Sequence, residues 1–139
     1  MSVLVQDTGF VSDDWTDGFI PQADLPANDV GPGNSVDLAS DADPAGLSNK
    51  LSNIAMIRVD FPSSADGRGF TIARRLRLMG YKGRLRASGH VLADQYAMAR
   101  RSGFDEVEIP DDLAARQPED QWLARADWKS HSYQMRLRA

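Results

Sequence analysis

The feature that most constrains this chain is a repeated switch between two hydrophobic periods. Residues 54–61, Ile-Ala-Met-Ile-Arg-Val-Asp-Phe, form a mostly apolar run ended by Pro62, the pattern of a largely buried strand. Residues 70–79 then change to helical period. Ile72, Leu76 and Met79 fall at i, i+4 and i+7, Arg74, Arg75 and Arg77 lie mainly outside, and Gly80 can close the helix. The switch recurs. Gly83 opens a strand at 84–88, and a helix follows over 91–101 with Leu92, Gln95 or Tyr96, and Ala99 on one face. A third strand at 104–109 leads to Asp111-Asp112, which can cap a helix that Pro118 interrupts before Trp122. One earlier unit fits the same rhythm: a strand at 35–39, then a helix from Asp43-Pro44 to about residue 52 with Leu47 and Leu51 four apart. Four strand–helix units with short connections predict an α/β fold with a mostly parallel sheet, right-handed crossovers and a spatial strand order that follows the chain. The sheet is either open or half of a β/α barrel; the pattern accommodates both.

The whole chain of 139 residues reads as one domain. Residues 1–34 form a loop-rich arm or hairpin, with a short strand at 3–6, turn chemistry at Asp13-Asp14-Trp15 and Asp17-Gly18, and a linker around Gly31-Pro32-Gly33. Phe10, Val11, Trp15, Phe19 and Ile20 are too apolar for a free tail, so the arm is expected to pack on something. Residues 35–127 are the repeat core, and 128–139 look like an extended tail. Open sheet edges and late aromatics favour self-association or docking to a larger protein, with an interface of about 1,200 Å² or more.

Composition excludes several chemistries. The chain has no cysteine, so it offers no thiolate metal site, no cysteine-held iron–sulfur cluster and no cysteine nucleophile. Its only histidines are His90 and His131, too few for a His-rich metal site. No apolar run approaches the ~20 residues of a membrane span, and residues 1–7 lack the basic start of a signal peptide; a cytoplasmic protein is expected. Charge is uneven. Residues 1–53 hold nine acidic side chains and one basic, whereas 54–101 hold ten basic and three acidic. That segment is either a solvated surface or a basic face for an anionic ligand or partner. Nucleic acid is not expected, because the whole chain is acidic and carries no recognition motif.

Ligands of parallel α/β sheets bind beyond the carboxyl ends of the strands. Asp66-Gly67-Arg68-Gly69 follows one strand and opens a helix, so backbone N–H groups, a helix dipole and a guanidinium fork come together as a cradle for an oxyanion. It is neither a dinucleotide fingerprint, whose third glycine would fall at Ile72, nor a phosphate P-loop. The alternative is a tight turn in which Asp66 caps the helix and Arg68 pairs with a carboxylate. The next such loop, Arg86-Ala87-Ser88-Gly89-His90 leading into Asp94-Gln95, adds ligand candidates Arg86 and Gln95. His90 and Asp94, four apart, are a candidate acid/base pair or a merely structural one. The expectation is that 66–69, Arg86, His90, Asp94 and Gln95 converge at one sheet edge. No cofactor is identified by the residues.

Taken together, Ile57-Arg58-Val59-Asp60-Phe61-Pro62, Asp66-Gly67-Arg68-Gly69-Phe70-Thr71-Ile72-Ala73, Gly80-Tyr81-Lys82-Gly83, Leu85-Arg86-Ala87, Gly89-His90-Val91, Asp94-Gln95 and Gly103-Phe104-Asp105 resemble the bacterial family known as domain of unknown function 934. The resemblance covers residues 54–105. It departs at Ser64, where the family often has an aromatic, and at Thr71, where it often has serine. Members are commonly described as oxidoreductases of sulfite reduction and are often encoded beside assimilatory sulfite or nitrite reductases. The resemblance therefore implies a pathway, and the reductase as a partner. The residues themselves give the redox description no support, since there is no cluster-binding cysteine and no nicotinamide or flavin fingerprint. An accessory protein of sulfite or nitrite assimilation with an anion site is the expected function, and a small enzyme acting on an anionic metabolite at the same loop is the alternative.

Overall fold

The computed structural model describes residues 2–15, 18–22 and 34–128. The linker at 28–33, His131, Tyr133 and nearly all of the tail lie outside the described residues. The fold is α/β, built on a seven-stranded, mostly parallel open sheet. Its strands are β1 (Ser2–Gln6), β2 (Gly9–Val11), β3 (Ile20–Pro21), β4 (Asn34–Leu38), β5 (Ile54–Phe61), β6 (Arg84–Gly89) and β7 (Glu106–Pro110). They lie in the order β2-β1-β7-β6-β5-β4-β3. β4 to β7 are parallel neighbours in chain order, as the alternating pattern implies. The arm clamps both edges: β1 pairs antiparallel with β7 and carries the hairpin strand β2, while β3 pairs parallel with β4.

Helices α1 (Arg68–Leu78), α2 (Tyr96–Ser102), α3 (Asp111–Arg116) and α4 (Glu119–Leu123) all bury side chains in one apolar cluster. That cluster holds Val36 and Leu38 of β4, Ile57, Val59 and Phe61 of β5, Leu85 and Ala87 of β6, and Val107 and Ile109 of β7. Alternate strand residues point to one face, so these side chains define the helix face of the sheet. α1 supplies Phe70, Ile72, Ala73 and Leu76 to it, and α2 supplies Tyr96 and Ala99. Pro118 breaks the last helical stretch into α3 and α4, and Trp122 packs edge-on against Tyr96 with ring centroids 6.1 Å apart. Among the described residues no helix is long and apolar enough to cross a membrane.

Two helical expectations shorten. Residues 43–52 do not form one helix but two 3-10 turns, Pro44–Leu47 and Leu51–Asn53. Asp43 does cap the first, its Oδ1 accepting from Ala45 N at 3.0 Å. Gly46 costs backbone entropy in a helix, and the polar side chains of Ser48, Asn49, Ser52 and Asn53 compete for backbone groups, so burying Leu47 and Leu51 does not sustain an α-helix. The stretch over 91–101 likewise opens with a 3-10 turn, Ala93–Gln95, before α2 begins.

Candidate functional site

The face of the sheet opposite the helices is built of charge. Register places Asp37 beside Arg58, Arg58 beside Arg86, and Arg86 beside Glu106 across β4 to β7. One step toward the carboxyl ends, Asp60 lies beside Ser88 and Ser88 beside Glu108. The guanidinium of Arg86 is fully buried. It donates to Glu106 (2.7 Å), to Glu108 (2.8 Å) and through both Nη atoms to Asp13 (3.0 Å each). Arg84 donates to Glu106 and, through both Nη atoms, to Asp14 at 2.7 and 3.0 Å. Arg58 forms a fork on Asp37 at 2.6 and 2.8 Å, with Nη1 reaching Glu108 at 3.3 Å. The arm closes this face. It supplies Asp13 and Asp14, the Trp15 indole N–H donating to Ser35 Oγ at 2.9 Å, and the Phe19 ring 3.8 Å from the Arg58 guanidinium carbon. Burial pushes the Asp13 carboxyl up, but hydrogen bonds from Arg86 and from Trp15 N outweigh it and hold it below its ordinary value. Asp14 is lowered chiefly by its hydrogen bonds from Arg84.

Above this ladder, at the carboxyl ends of the parallel strands, an open cleft of about 470 Å³ is lined by Pro21, Asp37, Arg58, Asp60, Ser88 and Glu108, among others. Such strand ends are where ligands of parallel sheets sit.

The 66–69 loop lies at the same end of the sheet, on the way into α1. Asp66 Oδ1 accepts from Arg68 N at 3.1 Å and Nε at 3.0 Å, and Oδ2 accepts from Nη2 at 2.7 Å. Nη2 also donates to Ser40 Oγ at 3.0 Å. The hydrogen bonds from the Arg68 side chain and backbone hold the Asp66 carboxyl far below the usual carboxylate range. The Arg68 side chain stays 59% exposed, and its Nη1 has no protein partner among the described residues. Gly69 has a packing reason: a Cβ there would collide with the Phe61 ring, so the first turn of α1 could not lie on β5. Gly67 has open space around its Cβ position.

The remaining candidates divide. Gln95 accepts from Leu92 N at 2.9 Å and donates to Ser64 O at 2.8 Å, tying the loop after β6 to the loop after β5. His90 is exposed and lines a cleft of about 530 Å³ with Ser63, Ser64, Arg116 and Gln117. Its backbone N–H donates to Phe61 O at 2.9 Å. Asp94 is exposed and lines a different cleft, with Met98, Arg101 and Arg125. So 66–69, His90 and Gln95 cluster around the loop after β5. Asp94 lies further out, in the 3-10 turn before α2, and Arg86 is on the face of the sheet opposite the helices, beneath the arm.

Asp37, Arg58, Asp60, Ser88 and Glu108 were not among the sequence candidates. A signal for them existed: Arg58/Asp60, Arg84/Arg86/Ser88 and Glu106/Glu108 alternate with apolar residues inside strands of a parallel sheet. Strands of that kind, when helices cover both faces, read as continuous apolar runs. The alternation marks a second face closed by something other than helices.

Residues 35–139 match the family model described as "Bacterial protein of unknown function (DUF934)". The chain belongs to this family. The match includes β4 to β7, the 66–69 loop and the charged ladder, and excludes β1 to β3 and the arm residues Asp13, Asp14 and Phe19. No curated protein and no solved structure matches the chain.

Proposed function

We propose that this protein is an accessory component of assimilatory sulfite or nitrite reduction, cytoplasmic and distinct from the reductase, which binds an oxyanion at the 66–69 loop. The observation that carries the reading is Arg68. Asp66 and Ser40 fix its guanidinium at the start of an 11-residue helix, while Nη1 has no partner among the described residues. A fixed guanidinium with spare donors beside a helix N-terminus is suited to sulfite, sulfate or a carboxylate of a partner. Asp66 already neutralises the charge, so selectivity rests on donor geometry more than on net field, and affinity for a free ion is modest. The family resemblance supplies the pathway, and the reductase is the expected partner.

A small enzyme acting on an anionic metabolite at the same loop is the second reading. It is favoured by His90, whose imidazole shares a cleft with the Ser63 and Ser64 hydroxyls and Arg116 beside that loop. The deciding experiment compares Arg68→Ala with the wild type for melting temperature, calorimetric binding of sulfite and sulfate, and co-purification with the reductase. Lost binding in a variant that melts like the wild type supports the anion site; unchanged binding ends it. A knockout that grows on cysteine but not on sulfate supports the pathway, and equal growth on both removes it. Turnover of an anionic substrate that is lost in His90→Ala selects the enzyme reading.

A further inference from the structure

We propose that the cleft at the carboxyl ends of β4 to β7 binds a small organic cation carrying a protonated amine or a guanidinium. Three carboxylates, Asp37, Asp60 and Glu108, line this cleft against one guanidinium, Arg58. That guanidinium is spent. Asp37 takes its Nε and Nη2, Glu108 takes its Nη1, and Phe19 lies against its face. Among the described residues no arginine lining the cleft is left to receive an oxyanion, and the surplus charge repels one.

Acceptors, by contrast, are left over. The Asp60 carboxylate and the Ser88 hydroxyl have no hydrogen-bond or ion-pair partner among the described residues. The register sets them side by side, with Glu108 next in the same row on β7. The Glu108 side chain is 13% exposed, so the row runs from an open carboxylate to a largely buried one. The floor of the cleft is fixed, because Arg58, Arg86 and Glu108 hold one another in the ladder. A pre-set floor lowers the ordering cost of binding. The volume of about 470 Å³ suits a metabolite of amino-acid size.

The donor set also selects the kind of cation. Among the described residues no three carboxylate or imidazole groups are arranged to hold a metal ion. A row of separated acceptors instead matches the several N–H donors of an ammonium or guanidinium. The arm contributes Pro21 to the rim and Phe19 behind Arg58, so this cleft includes residues outside the segment shared with the family.

The probe is agmatine, which carries a guanidinium at one end and a primary amine at the other. It is titrated into the full chain and followed by calorimetry and by the amide signal of Ser88. Saturable single-site binding is expected, weakened about tenfold or more by Asp60→Asn, weakened less by Ser88→Ala, and unchanged by Asp94→Asn on the other cleft. Asp60 has no partner among the described residues, so Asp60→Asn should melt like the wild type, and its loss of binding then reads the site alone. Absence of saturable binding in the wild type would falsify the proposal. Equal affinity in Asp60→Asn, or sulfate shifting the Ser88 signal while agmatine does not, would overturn it as well. None of these outcomes bears on Arg68, so the oxyanion reading stands or falls separately.

Discussion

On one face of the sheet, Ile57, Val59 and Phe61 meet Leu85, Ala87 and Val107 under α1 and α2. On the other, the same strands present Arg58, Arg84, Arg86, Glu106 and Glu108 under a short arm. The first face is closed by non-directional burial, in which any apolar side chain of suitable volume serves. The second is closed by donors and acceptors that must match one by one, because an unpaired buried charge is costly. Met56 and Leu4, both fully buried, lie in register with Arg84 and Glu108, so the charged face keeps two apolar members within its ladder. The two faces should therefore fail differently. A truncation on the helix face leaves a cavity that its neighbours partly fill, while a truncation in the ladder strands the partner.

Glu106→Ala is the sharpest test. Glu106 is 1% exposed and accepts from Arg84, Arg86 and Gln6. Its removal leaves the fully buried Arg86 short of a counter-charge and should cost about 3–5 kcal/mol in urea unfolding. A cost below about 1 kcal/mol would mean that the ladder does not hold the fold together.

Leu76→Ala is the matching change on the helix face. Leu76 is fully buried in the last turn of α1, and its loss should cost about 3 kcal/mol by transfer and cavity effects. The two sites lie on opposite faces without shared partners, so the double variant should be additive within about 0.5 kcal/mol. Strong coupling would show that the two faces are not independent.

The contrast also explains what could be read from the residues alone. Ile72, Leu76 and Ala99 declare their face by spacing, because burial selects residue type at a fixed period. β5, β6 and β7 were legible for the same reason. The helix expected over 43–52 was misread because Leu47 and Leu51 have the right spacing, yet the residues between them disfavour helix. Around the site, Asp66 and Arg68 could be placed because they are neighbours in the chain. Arg86 could not. Its partner Asp13 lies 73 residues away, and no local pattern says that an N-terminal carboxylate will cross the sheet to meet it. Ser88 and Asp60 become a pair only once β5 and β6 are in register. Apolar periodicity is local information, whereas ion-pair matching is topological.

The smallest expected effect concerns the arm, and acid separates it from the rest. Asp13 and Asp14 both have carboxyl values lowered in the folded state, Asp13 against the opposing effect of burial and Asp14 mainly through Arg84. A carboxylate lowered by folding adds stability that is fully present above its unfolded value, about 3.9, and that is lost as pH falls through the folded value. The arm should therefore loosen below about pH 4, ahead of the apolar face, which has no such dependence. Two indoles report this directly. Trp15 Nε1 donates to Ser35 on the charged face, whereas Trp122 Nε1 donates to the backbone oxygen of Gln117 at 2.8 Å in the helix layer. Acidification should shift the Trp15 indole proton signal while that of Trp122 holds. In Asp13→Asn/Asp14→Asn the Trp15 signal should already be shifted at pH 7. Asp14 is mostly exposed, and Arg86 keeps Glu106 and Glu108. The double change should therefore cost only about 1 kcal/mol and flatten the acid dependence. If Trp15 and Trp122 move together in both proteins, the arm is not a separately closed element, and the charged face must be held by the ladder alone.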